Sequence, residues 1–140
     1  MKALLAVLSI TFGLLIAIPA AAEEVSTTFR IGEVGSVIYL CKTLDGIETI
    51  RELTSKETYV SPDIFMNGMR ILTSSGECGR LPGLMPFRLT AVHFSFVDWE
   101  DDYIVAGEGY IDVDPDNPNA DKTHYFSPLV DNKAHPKNEI

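Results

Sequence analysis

The spacing of apolar residues changes from region to region, and each spacing predicts its own element. Residues 3–18 form an apolar run broken by no charge, preceded by Lys2 and followed by Pro19 and the alanines at 20–22. The run falls short of the roughly 20 residues needed to cross a bilayer. Its lysine, apolar stretch and small-residue end are those of a secretory leader of bacterial type, cleaved before Glu23.

Further on, Val37, Ile38, Tyr39, Leu40 and Cys41 are apolar on both alternating faces, as in a short strand covered on both sides. In "LDGIETIRELTS" the period lengthens: Ile47, Ile50 and Leu53 recur at helical spacing. Asp45 stands three residues before Glu48, the arrangement of a capping box, so a helix of about two or three turns is predicted. Ser61 and Pro62 supply the start of a second, shorter helix that Gly68 can end. "RILTS" is expected to be a strand leading into a glycine-rich loop, "SGECGRLPG".

From Pro86 the pattern is β. Phe87, Leu89 and Ala91 share one face, and then Val92, Phe94 and Phe96 share the other. Such a switch requires a β-bulge near Ala91 and Val92, or a strand that passes between two sheet faces. Trp99 and the acidic residues 100–102 turn the chain into "YIVAGEGYIDV", where Tyr103, Val105, Ile111 and Val113 lie on one face and Glu108, Tyr110 and Asp112 on the other. Gly107 and Gly109 fall on the apolar face, where a missing side chain implies a closely approaching neighbour or strong curvature. "THYF" is the expected last strand. The sum is an α+β fold, mostly β: an antiparallel sheet or small open barrel, with one or two short helices between the first strand and the meander. The expected organisation is a leader over 1–22, a single globular domain over 23–126 and a loose polar tail over 127–140.

Charge and cysteine content narrow the function classes. The formal charge of −9 falls by one, to −10, when Lys2 leaves with the leader. Nucleic acid and anionic membrane surfaces both need a positive patch, so neither is an expected partner, and a basic protein is. Cys41 and Cys78 are the chain's only cysteines. In an oxidising compartment an even pair reads as one disulfide, and the destination is the periplasm or the medium.

The candidate chemistry is sparse. In "DVDPDNPNAD" the residues Asp112, Asp114 and Asp116 match the first three ligand positions of an EF-hand calcium loop. Asn117 then replaces the glycine, Ala120 stands at the ninth position and Thr123 at the twelfth, so the stretch reads first as an acidic turn and second as a calcium site. His93 and His124 stand on strands that can meet across a sheet, which leaves zinc as a further alternative; His135 in the tail has no assigned role. The chain has neither a G-x-S-x-G elbow nor a phosphate loop, so a hydrolase is the remotest alternative. The leading expectation is a non-enzymatic binding module that meets a basic envelope protein without a cofactor. Its acidic loops would steer that partner, and Trp99, Glu100, Asp101, Asp102, Tyr103 and Tyr110 are the candidate contacts.

Overall fold

The computed structural model describes residues 25–133. The expected leader and the end of the tail from residue 134, with His135, lie outside the described residues. In chain order the elements are β1 (Val34–Cys41), α1 (Leu44–Thr54), α2 (Pro62–Ser74), β2 (Cys78–Val97), β3 (Tyr103–Ile111) and β4 (Tyr125–Val130). Every strand pairing is antiparallel, and the order β1-β2-β3-β4 closes on itself where Cys41 of β1 meets Phe126 of β4. The α+β architecture, the helices between the first strand and the meander, and the Cys41–Cys78 disulfide are all present. Among the described residues no helix is long and apolar enough to cross a membrane.

Helix α1 begins two residues earlier than the capping-box pattern implies. Its N-cap is Thr43, whose hydroxyl donates to Glu77 instead of capping, while Asp45 sits in the first turn, where the helix dipole favours an acid. Gly46 and Ile47, then Ile50 and Thr54, form the buried stripe. A Cβ on Gly46 would lie 2.8 Å from the Cys78 sulfur, so the helix rests directly on the disulfide.

Helix α2 starts as expected, with the Ser61 hydroxyl accepting from Ile64 N at 3.3 Å and Pro62 in the first turn. It does not end at Gly68. A Cβ there would fall 2.5 Å from Leu53 Cδ1, so this glycine lets the two helices approach, and the helix continues through the predicted strand "RILTS" to Ser74. The chain reverses instead at Gly76, whose φ of +78° belongs to the left-handed region that suits glycine.

Strand β2 is longer than the pattern suggests, because it starts at Cys78 inside the expected loop. Between the pairs Val37↔Met85 and Tyr39↔Arg80, β1 advances two residues while β2 advances five, so residues 81–84 form a bulge. The bulging expected near Ala91 and Val92 is present as register shifts between Leu89 and Ala91 and between Val92 and Phe94.

The curled sheet separates two apolar clusters. Cys41, Ile47, Ile50, Leu72, Cys78 and Ala106 pack under the helices, and Val37, Leu40, Phe87 and Leu89 pack on the other side. The strand glycines serve close approach. A Cβ on Gly107 would stand 2.7 Å from Leu129 Cδ1, and one on Gly109 would stand 2.1 Å from the carbonyl oxygen of Arg88.

The expected boundary at residue 126 is corrected by β4, which runs on to Val130. Residues 127–130 pair with β3, Ser127 is buried, and Asp131 is buried behind them. Asp131 accepts from Thr27 Oγ1 at 2.6 Å, Thr28 N at 2.7 Å and Thr28 Oγ1 at 2.5 Å, which ties the start of the domain to its end.

Candidate functional site

The residues singled out at the β2–β3 hairpin are drawn largely into the fold. The Trp99 ring lies parallel to Tyr59 at 4.6 Å and tilted against Phe65 at 5.3 Å, so it clamps the hairpin to the segment around α2. Tyr103 is buried, with its hydroxyl donating to Ser95 at 2.8 Å, and is turned in rather than presented. Asp98 accepts from the backbone N–H groups of Glu100 and Asp102 at 2.9 Å each, and Lys56 pairs with Asp101 at 2.6 Å. Glu100 and Asp101 remain on the surface as an acidic tip. Tyr110 is not part of this group. It pairs with Arg88 near the far end of β3, its ring near His124, with Lys122 Nζ 5.7 Å from its centre.

The aspartate loop is spent on its own turns and on one ion pair. The Asp112 carboxylate meets Arg88 Nε at 2.6 Å with its side chain 8% exposed, and Arg88 also donates to the carbonyl of Gly32. That pairing engages the first position of the calcium pattern. Asp114 and Asp116 are exposed, and Asn117 accepts from Asn119 N. Asp121 accepts from the Thr123 hydroxyl and N–H, which hold its pKa below the ordinary value. Among the described residues no group of three or more His, Cys, Asp or Glu side chains is arranged to hold a metal ion.

His93 and His124 do come together, through a carboxylate. Glu108 contacts His93 Nε2 at 2.7 Å with one oxygen and His124 Nδ1 at 2.8 Å with the other. The His124 and His93 hydrogen bonds lower its pKa. The trio joins β2, β3 and the segment entering β4, and it engages both oxygens of Glu108.

A cleft lies elsewhere, between β1 and β4. Among the described residues β1 and β4 pair only at Cys41↔Phe126. One step on, the Ser127 hydroxyl donates to the Tyr39 carbonyl at 2.8 Å in place of a ladder bond. Beyond that the strands diverge around a cleft of about 570 Å³. The buried side chains of Phe87 and Leu89 form its floor, and Asp131 lies at its edge. Three of the residues lining it, Val34, Leu84 and Val130, are large apolar side chains exposed by 46%, 70% and 57%. Apolar exposure gathered around one concavity marks an interaction site more strongly than the same residues scattered singly.

The sequence carries no local signal for this cleft. It results from two strands that are neighbours in space and lie at opposite ends of the chain, and from a bulge at residues 81–84 that delivers Leu84 to the rim. Comparison of the chain with protein-family models, curated proteins and solved structures yields no match.

Proposed function

We propose that this protein is a non-enzymatic binding protein of the periplasm or cell exterior that holds a segment of a basic protein partner in the cleft between β1 and β4. The observation that carries the reading is the cleft itself. It is a cavity of about 570 Å³ with a buried apolar floor and an exposed apolar rim. Ligand-holding clefts have roughly this volume and lining, at about 300–1,000 Å³.

The charge supports the nature of the partner. At −9 the protein attracts a basic surface at long range, and the acidic tip around Glu100 and Asp101 adds to that field. A disulfide that joins two buried cysteines accords with an oxidising destination. In this reading the aspartate loop is a turn, and binding needs no calcium.

The test is capture from an envelope extract by the immobilised protein, compared with the double variant Val34→Glu, Leu84→Glu. Both positions are exposed, so the changes leave the core untouched. A protein held by the parent in chelator, released by moderate salt and lost with the variant supports the reading. Equal retention by the variant, or no retained protein at all, overturns it.

A further inference from the structure

The two walls of the cleft are strand edges, and two prolines determine what each edge offers. Pro86 stands opposite Ser36 in the β1–β2 ladder. It has no N–H, and its carbonyl accepts from Asp112 N at 2.9 Å on the β3 side. In an antiparallel ladder a residue directs its N–H and C=O to the same edge, and opposed residues either exchange both bonds or neither. The Ser36–Pro86 pair therefore exchanges neither, and Ser36 turns its backbone N–H and C=O away from β2 toward the cleft that its side of β1 lines.

On the opposite wall, Pro128 is paired with Ala106 of β3. Without an N–H it fits only at a position whose backbone points away from the partner strand. At Pro128, β4 thus faces β1 with a carbonyl and no donor. The Tyr39 carbonyl is taken by the Ser127 hydroxyl, which marks the closed end of the groove. One wall offers a donor and an acceptor around Ser36, and the other lacks a donor at its middle.

We propose that the cleft receives an extended polypeptide segment as an added strand on the β1 edge around Ser36, with β4 serving as a wall for side chains. This rests on the reading of the cleft as the partner site and specifies how the partner is held. A strand on β1 lies about 4.8 Å away. It directs alternate side chains inward onto Phe87, Leu89 and Leu129, which line the cleft, and the others outward. Those inward positions suit apolar residues. The outward ones suit lysine or arginine through the long-range field of a chain of charge −9, since at the cleft itself Glu33 is matched by Lys133. A compact apolar molecule would fill the same volume and leave the Ser36 backbone groups covered without a partner. Strand addition satisfies them, and main-chain pairing with side-chain pockets is a known mode of peptide recognition.

The probe is a fluorescent, terminally blocked nonapeptide of alternating valine and lysine, titrated against the full chain by anisotropy. Strand addition predicts that single N-methyl groups walked along the peptide alternate in effect: a several-fold to tenfold loss where the N–H points at β1, and little change where it points away. Ser36→Pro removes the edge donor and is expected to weaken binding to a similar degree, while Ser36→Ala and Pro128→Ala leave it within twofold. N-methyl effects without alternation, together with loss of binding on Val34→Glu, Leu84→Glu, overturn strand addition and leave the cleft as the partner site. No binding by the peptide at millimolar concentration overturns both. The N-methyl series uses the unaltered protein, so it discriminates even where Ser36→Pro fails to fold.

Discussion

Reduction of the Cys41–Cys78 bridge is a perturbation whose size follows from the fold. The bridged residues are 37 apart in sequence, and the segment between them holds both helices. Loop-closure entropy for that spacing corresponds to about 4 kcal/mol. Cys41 and Cys78 are register partners of the β1–β2 ladder, so the native state holds them adjacent with or without the bond. The effect therefore falls on the unfolded chain. For a domain of about 100 residues 1 kcal/mol moves Tm by about 4–8 °C, so reduction is expected to lower Tm by about 15–30 °C. Denaturant unfolding should show a larger m-value as well, because the reduced unfolded chain exposes more surface. Replacing both cysteines with alanine adds a further loss of about 1 kcal/mol, since the sulfurs fill the space beneath Gly46. The assay is scanning calorimetry with and without a phosphine reductant, with thiol labelling to verify that both cysteines are free. A drop below about 5 °C in fully reduced protein would refute the entropic account and show that the helices and sheet hold the unfolded chain compact without the bond.

Gly109→Ala should destabilise far more than Gly107→Ala in urea titrations, because its Cβ meets the Arg88 carbonyl while that of Gly107 meets the movable ends of Leu129 and Leu89; equal effects would show that β3 can shift. Asp131→Ala is expected to cost about 2–3 kcal/mol through lost bonds to a buried carboxylate, and limited proteolysis should then cut near Thr27 and Thr28, which it holds. The Glu108 pKa is held below the ordinary 4.5 by His124 and His93, so its contribution to stability is present above that value and is lost as pH falls through the lower folded value. Glu108→Gln should flatten the acid limb of the stability profile below about pH 4.5, and an unchanged limb would remove Glu108 as its source.

The parts of the fold legible in the sequence are those set by local chemistry. Ser61 with Pro62 opens a helix because a hydroxyl and a fixed φ act within one turn. The face switch at Ala91 and Val92 is legible because a bulge is the local way to reverse the pleat. Illegible features depend on partners distant in sequence. Gly68 reads as a helix end until Leu53 is seen against it, and β-branched residues such as Ile71 and Thr73 read as a strand until packing of α2 overrides propensity. The glycines and the proline of residues 76–83 read as a loop, yet β2 runs through most of them, and Pro86 beyond them is set where no N–H is needed for the ladder. Trp99 reads as a surface anchor because neither Tyr59 nor Phe65 is near it in sequence.

The same strand lengths that close the sheet also open it. β2 has 20 residues, enough to pair with β1 toward its start and with β3 toward its end, whereas β1 has 8 residues and β4 has 6. Sheet twist carries β1 and β4 apart from their meeting point at Cys41 and Phe126 faster than such short strands can follow. An exposed pair of edges invites uncontrolled pairing with other chains. Ser127 answers this at the narrow end by taking the Tyr39 carbonyl, and Pro128 answers it on β4 by withholding a donor. Among the described residues the β1 edge around Ser36 has no comparable block. A fold that protects one wall of a cleft and leaves the other able to pair has the asymmetry expected where one incoming strand is wanted in one place.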